Sequence, residues 1–123
     1  MILRDPVHGL VSFESDEESI VESLLGAREV QRLRRVRQMG LASLAYPGAD
    51  HTRFSHALGA AHVMTRLLAR LRRIHDELPF WQRVTTERAR DALAAALLHD
   101  VGHGPFSHRH RPHEAISCAS STR

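Results

Sequence analysis

The sequence predicts an all-α protein, a single bundle of about four to five helices with negligible strand content. Three observations predict it. Apolar residues recur at three- and four-residue spacing along most of the chain. Residues that start and stop helices bracket those stretches. The length of 123 residues, with 42% apolar and 25% charged side chains, suits one domain with a modest core.

In chain order, Pro6 biases Asp5 away from helix and Gly9 marks a turn, after which residues 10–13 read as a short extended segment. Ser15 and Glu18 match a capping box, opening a helix that runs to about Leu25 and stops at Gly26. A second helix is expected over residues 28–39, with Val30, Leu33 and Val36 as its apolar stripe. Arg28, Arg32, Arg34, Arg35 and Arg37 occupy its other faces, either as a solvated basic surface or with one or two reaching an anionic ligand. Pro47-Gly48 signals a type II turn. Asp50 or Thr52 then caps a long helix to about Ile74, with Leu58, Ala61, Met64, Leu68 and Leu71 facing the core. Gly59 is costly inside a helix, by about 1 kcal/mol relative to alanine, which suggests close packing against another backbone. Phe80-Trp81 sits in a connector, where it is expected to cover the edge of the core. A last helix over residues 86–99 carries Ala89, Leu93, Ala96 and Leu97 inward.

Composition narrows the function classes. The net charge is +3, and all 17 basic residues are arginine, a side chain suited to bidentate phosphate contacts. The single cysteine, Cys118, excludes an internal disulfide and fits a reducing compartment. No apolar run is long enough to span a membrane, so the reading is a cytoplasmic protein without membrane association.

The chemistry concentrates in Leu97-Leu98-His99-Asp100-Val101-Gly102-His103-Gly104-Pro105-Phe106-Ser107-His108. Three histidines and a carboxylate follow an alanine-rich helix directly, an arrangement that suits a divalent metal. His56, on the preceding long helix, is a natural partner from a separate element. Imidazole with carboxylate accommodates manganese, iron, zinc or magnesium, and spacing does not choose among them. His8, His62 and His75 lie outside both histidine clusters and read as structural or surface residues.

Four ordered segments make the pattern specific. They are Asp5-Pro6-Val7-His8-Gly9, Gln31-Arg32-Leu33-Arg34, residues 46–59 (Tyr-Pro-Gly-Ala-Asp-His-Thr-Arg-Phe-Ser-His-Ala-Leu-Gly) and residues 99–108. In them the chain resembles the HD-domain phosphohydrolases, within the branch of the deoxynucleoside triphosphate (dNTP) triphosphohydrolases that includes dGTPase. The resemblance implies that His56, His99 and Asp100 are metal ligands and that Arg53 contacts substrate phosphate. It makes Gln38 a substrate-side residue and places His103, His108 and the pair His113-Glu114 in catalytic positions. His51 and His110 fall outside the ligand set. The implied substrate is a dNTP or related phosphate ester, attacked by water at the α-phosphate to release deoxynucleoside and triphosphate.

The sequence also departs from that family. Its fourth metal ligand is an aspartate on a later helix, and no aspartate follows Asp100. Gly26 stands where relatives with an allosteric nucleotide site carry an acidic residue, so Gln31 and Arg34 do not argue for regulation. The expectation is a truncated HD-domain bundle: residues 1–123 as the N-terminal half, with later helices absent and apolar faces exposed. Such faces invite association, a homo-oligomer among the outcomes. Two function readings follow. One is a metal-dependent phosphohydrolase of the dNTP type. The other is a catalytically incomplete HD-domain remnant that binds metal, nucleotide or a partner chain. General nucleic-acid binding through the arginine-rich helix is the least favoured reading.

Overall fold

Thr52 and Thr85 start the two helices that organise the molecule. Thr52 Oγ1 accepts the Ser55 N–H at 3.2 Å, and Thr85 Oγ1 accepts the Arg88 N–H at 3.3 Å. Each satisfies a first-turn donor that the helix itself leaves unpaired. The helices they open are α3 (Arg53–Ile74) and α4 (Thr86–Leu98). A computed structural model describes residues 2–5 and 8–104, and the statements below concern those residues.

Along α4, Ala89, Leu93 and Leu97 fall four residues apart and are fully buried. They meet Ala57, Leu58, Ala61 and Leu68 of α3 in one core cluster. Met64 packs at its edge, and Leu71 is partly exposed. Two short helices, α1 (Ser19–Leu25) and α2 (Arg28–Arg32), close the cluster with Val21, Leu25 and Val30. The class is all-α, as expected, with four α-helices among the described residues.

Several local expectations change. The N-terminal segment forms a hairpin of β1 (Ile2–Asp5) and β2 (Gly9–Ser12), antiparallel, with Ile2 opposite Ser12 and Asp5 opposite Gly9. Gly9 has φ +78°, a left-handed conformation that costs glycine nothing. Val11 and Phe13, two residues apart, point to one side and are buried in the helical core. Helix α1 begins at Ser19, three residues later than a cap at Ser15 implies. Glu18 still makes its half of the box, accepting the backbone N–H of Glu14 at 2.8 Å and of Ser15 at 3.1 Å.

The helix expected over residues 28–39 stops early. A 3-10 turn at Leu33–Arg35 follows α2, and Val36 is extended, with φ −111° and ψ 117°. The cause is a pairing distant in sequence. The Arg53 N–H donates to the Val36 carbonyl at 2.8 Å and the Gln38 N–H to the His51 carbonyl at 3.0 Å. Those bonds tie this strand-like piece to the chain entering α3. Val30, Leu33 and Val36 are nonetheless all buried. At Pro47-Gly48 the turn forms, its Ala49 N–H bonding the Tyr46 carbonyl at 2.9 Å, but Gly48 lacks the positive φ of a type II turn. Phe80 and Trp81 are 78% and 66% exposed, stacked edge-to-face, so they do not cover the core. Among the described residues no helix is long and apolar enough to cross a membrane.

Candidate metal centre

Asp100 lies just beyond the end of α4 and His56 one turn into α3, so the packing of those two helices brings them together. His56 Nε2 and His99 Nε2 are 3.2 Å apart. Asp100 Oδ2 is 3.8 Å from His56 Nε2, and Asp100 Oδ1 is 3.7 Å from His99 Nε2. One ligand atom from each of the three residues lies within 4.8 Å of the others. Donors each about 2.1 Å from a common ion would stand roughly 3–3.5 Å apart. The set therefore fits a divalent metal after only small movements.

Protonation favours the same reading. His99 Nδ1 is 2.8 Å from the Ala96 carbonyl, which can only accept, so Nδ1 donates there and Nε2 is the ring nitrogen turned toward His56 and Asp100. The His56 pKa is held below the ordinary 6.5, first by burial and then by His99, against a smaller opposing pull from Asp100. Burial pushes Asp100 upward, but the Gln38 hydrogen bond and the charges of His99, Arg53 and His103 outweigh it, and its pKa falls below 3.8. Near neutral pH the site holds an ionised carboxylate and a neutral His56, both ready to ligate.

A pH dependence follows. Between its folded and unfolded pKa values each group binds more protons unfolded than folded, so stability rises with pH there. The His56 contribution is fully present above pH 6.5 and is lost as pH falls through the lowered folded value. The Asp100 contribution is lost at still lower pH, below 3.8. Urea midpoints are therefore expected to fall from pH 7 to pH 5 and again below pH 4, with His56→Gln flattening the first fall. A profile that stays flat, or rises toward acid, would contradict both shifts.

Arg53 is 1% exposed, so it is no surface residue at the helix start. Its Nη1 donates to Asp100 Oδ2 at 3.0 Å. Gln38 Nε2 donates to the same oxygen at 3.4 Å, placed there by the pairing of residues 36–38 with 51–53. The Gln38 Oε1 atom is buried with no hydrogen-bond partner among the described residues, an acceptor available to a ligand hydroxyl or amine. His103 lies at the rim, half-exposed, with Nδ1 3.9 Å from Asp100 Oδ1. The other expected site residues, His108, His113 and Glu114, fall outside the described residues.

The arginine-rich segment, read from sequence as a solvated face or an anion contact, keeps its arginines exposed, and several of these side chains also bond other protein groups. Arg34 stacks over Phe54 at 3.9 Å and bonds Gln31, and Arg37 pairs with Asp50. Arg32 Nη2 donates to the Val101 carbonyl at 2.7 Å and to the His103 carbonyl at 3.4 Å. Sequence reasoning missed that contact, and its only signal was Arg32's place in one of the four ordered segments. Gly59, expected to admit a backbone, instead admits a ring: a Cβ there would lie 3.3 Å from His8 Cε1. His8 in turn packs on His62, as structural histidines do.

Residues 53–119 match the HD domain family. This chain belongs to the HD-domain family. It is 41% identical over 107 residues to the uncharacterized protein YwfO of Bacillus subtilis, covering 87% of the chain and 23% of YwfO. It is 36% identical over 110 residues to deoxynucleoside triphosphate triphosphohydrolase SAMHD1 of Bos taurus, covering 87% of the chain and 17% of that protein. A solved structure of a phosphohydrolase from Bacteroides thetaiotaomicron superimposes with a TM-score of 0.73 at 39% identity, over 88% of this chain and 25% of the other. The HD-domain chain thus spans about a fifth of the length of the curated relatives it matches. The match begins at Arg53, so α3 and α4 with their His56, His99 and Asp100 all lie inside it.

Proposed function

We propose that this chain is part of a metal-dependent phosphohydrolase that converts a dNTP to deoxynucleoside and triphosphate. The observation that carries the proposal is the convergence of His56, His99 and Asp100, whose ligand atoms lie within 4.8 Å of one another. The likeness to triphosphohydrolases supports the substrate class.

In this reading His56, His99 and Asp100 hold the metal. When bound, it lowers the pKa of a water and polarises the phosphoryl oxygens. Arg53 keeps Asp100 ionised through their buried pair, and it reaches substrate phosphate only by opening that pair. Gln38 offers its buried Oε1 to a donor on the substrate. His103, at the rim, is placed to move a proton at the reacting phosphate, with His108 and the His113-Glu114 pair assigned the same class of duty. Developing negative charge on the phosphate would then meet fixed cationic and N–H groups, the largest usual contribution to such catalysis.

Among the described residues three side chains, His56, His99 and Asp100, are grouped to hold the ion. The second reading, a remnant that binds metal or nucleotide without catalysis, is favoured by one observation: the Arg53 guanidinium is taken up by Asp100 rather than left for a phosphate. One assay separates the readings. Triphosphate release from dNTPs is measured with added Mn2+, alongside Mn2+ affinity, for the chain and for His99→Ala. Metal binding that drops by at least about tenfold in the variant is expected. Turnover lost with it supports the hydrolase, and metal binding with no turnover supports the remnant. Equal Mn2+ affinity in the two proteins would refute both.

A further inference from the structure

We propose that Arg32 is a positioning residue for the metal centre: from α2 it holds, by their backbone carbonyls, the turn that carries Asp100 and His103. The inference rests on the metal-site reading above and adds to it a residue that touches neither metal ligand atoms nor substrate.

The need for such a residue follows from how α4 ends. Beyond Leu98 the chain makes two successive tight turns, with the Val101 N–H on the Leu98 carbonyl at 2.9 Å and the His103 N–H on the Asp100 carbonyl at 3.1 Å. Gly102 and Gly104 occupy this segment, and among the described residues nothing lies within 4 Å of where a Cβ would be. No close neighbour forces glycine there, so the turn gains little stiffness from its own side chains, and glycine has the most backbone freedom to lose. Among the described residues the Asp100 carboxylate is bonded at one oxygen only, where Arg53 and Gln38 both bond Oδ2. Its Oδ1 faces His99 and His103 at 3.7 and 3.9 Å and depends on the backbone for its place.

Arg32 supplies the missing restraint. Its Nη2 reaches the carbonyls of Val101 and His103, 69 and 71 residues away in sequence. These carbonyls lie past the helix end, where a cation also complements the negative pole of α4. A rigid guanidinium suits the task better than a flexible ammonium. The anchor itself is firm, because Val30 and Leu33 on either side of Arg32 are fully buried.

The test uses Arg32→Met, which keeps the apolar stem, and Arg32→Lys, which keeps the charge with fewer donors. Amide hydrogen exchange is followed at Val101, Gly102, His103 and Gly104, with Leu93 and Leu97 as core references, and Mn2+ affinity is measured in parallel. Arg32→Met is expected to speed exchange in the turn while leaving the core amides unchanged, and to weaken Mn2+ binding about tenfold. Arg32→Lys should recover part of both. Unchanged exchange in the turn overturns the proposal. So does faster exchange with undiminished Mn2+ affinity, or faster exchange spread equally over the core. Failure of the underlying metal-site reading looks different: the unmodified chain and His99→Ala would then bind Mn2+ alike. That result ends the positioning role, while the exchange data still decide whether the clamp exists.

Discussion

Replacing Arg53 with alanine is expected to lower the unfolding free energy by about 3–5 kcal/mol, the cost of breaking a buried ion pair from one side. The Arg53 side chain is 1% exposed and its Asp100 partner 11%, so water replaces little of what the guanidinium supplies. Burial already pushes the Asp100 pKa upward, and with Arg53 gone that push has less to oppose it. The alanine also leaves a cavity at the start of α3. Against a total of about 5–15 kcal/mol for an ordinary domain, the loss is a large share. It is checked by the urea midpoint at constant slope. Adding Asp100→Asn should recover part of it, because the stranded charge disappears, giving a non-additive pair. A loss below about 1 kcal/mol would mark the pair as an ordinary surface bridge and refute the burial argument.

That pair also shows where sequence reasoning reaches its end. Position was legible: Arg53 stands one turn before His56, and the four ordered segments marked both. Burial was not, since arginine is seldom fully buried and no local pattern announces its partner 47 residues away. The extents of the long helices were read closely, with Asp50 or Thr52 as alternative caps for the first, because three- and four-residue apolar spacing is a local signal. The segment over residues 28–39 was misread for the opposite reason. Its apolar spacing suits a helix, but pairing of Val36 and Gln38 with residues 51–53 takes the backbone, and that pairing places Gln38 against Asp100. The Arg32 contact is likewise long-range, so a helix-face pattern could register only another exposed arginine. The grouping of His56, His99 and Asp100 was legible because its three members sit in two compact motifs. What the structure adds is the contact of the His99 ring with the Ala96 carbonyl and the groups that hold the Asp100 pKa low.

A second large effect is expected for Leu97→Ala, which should cost about 2–5 kcal/mol by removing a fully buried side chain from the contact between α4 and the rest of the core. Leu97 stands two residues before His99, so the variant asks whether the metal centre depends on core packing or on its own hydrogen bonds. The Asp100 carboxylate is held by Arg53 and Gln38, the His99 ring by the Ala96 carbonyl, and the following turn by Arg32. None of those contacts is made by the Leu97 side chain. Leu97→Ala should therefore melt at a lower temperature and yet keep the upward shift in Tm that Mn2+ produces. That shift depends on the ratio of metal concentration to dissociation constant in the folded state. His99→Ala should do the reverse, losing the Mn2+ shift while its metal-free Tm stays close to that of the unmodified chain. If Leu97→Ala also lost the shift, the ligands would be positioned by the core as a whole, and the local network around Asp100 would not suffice to hold them.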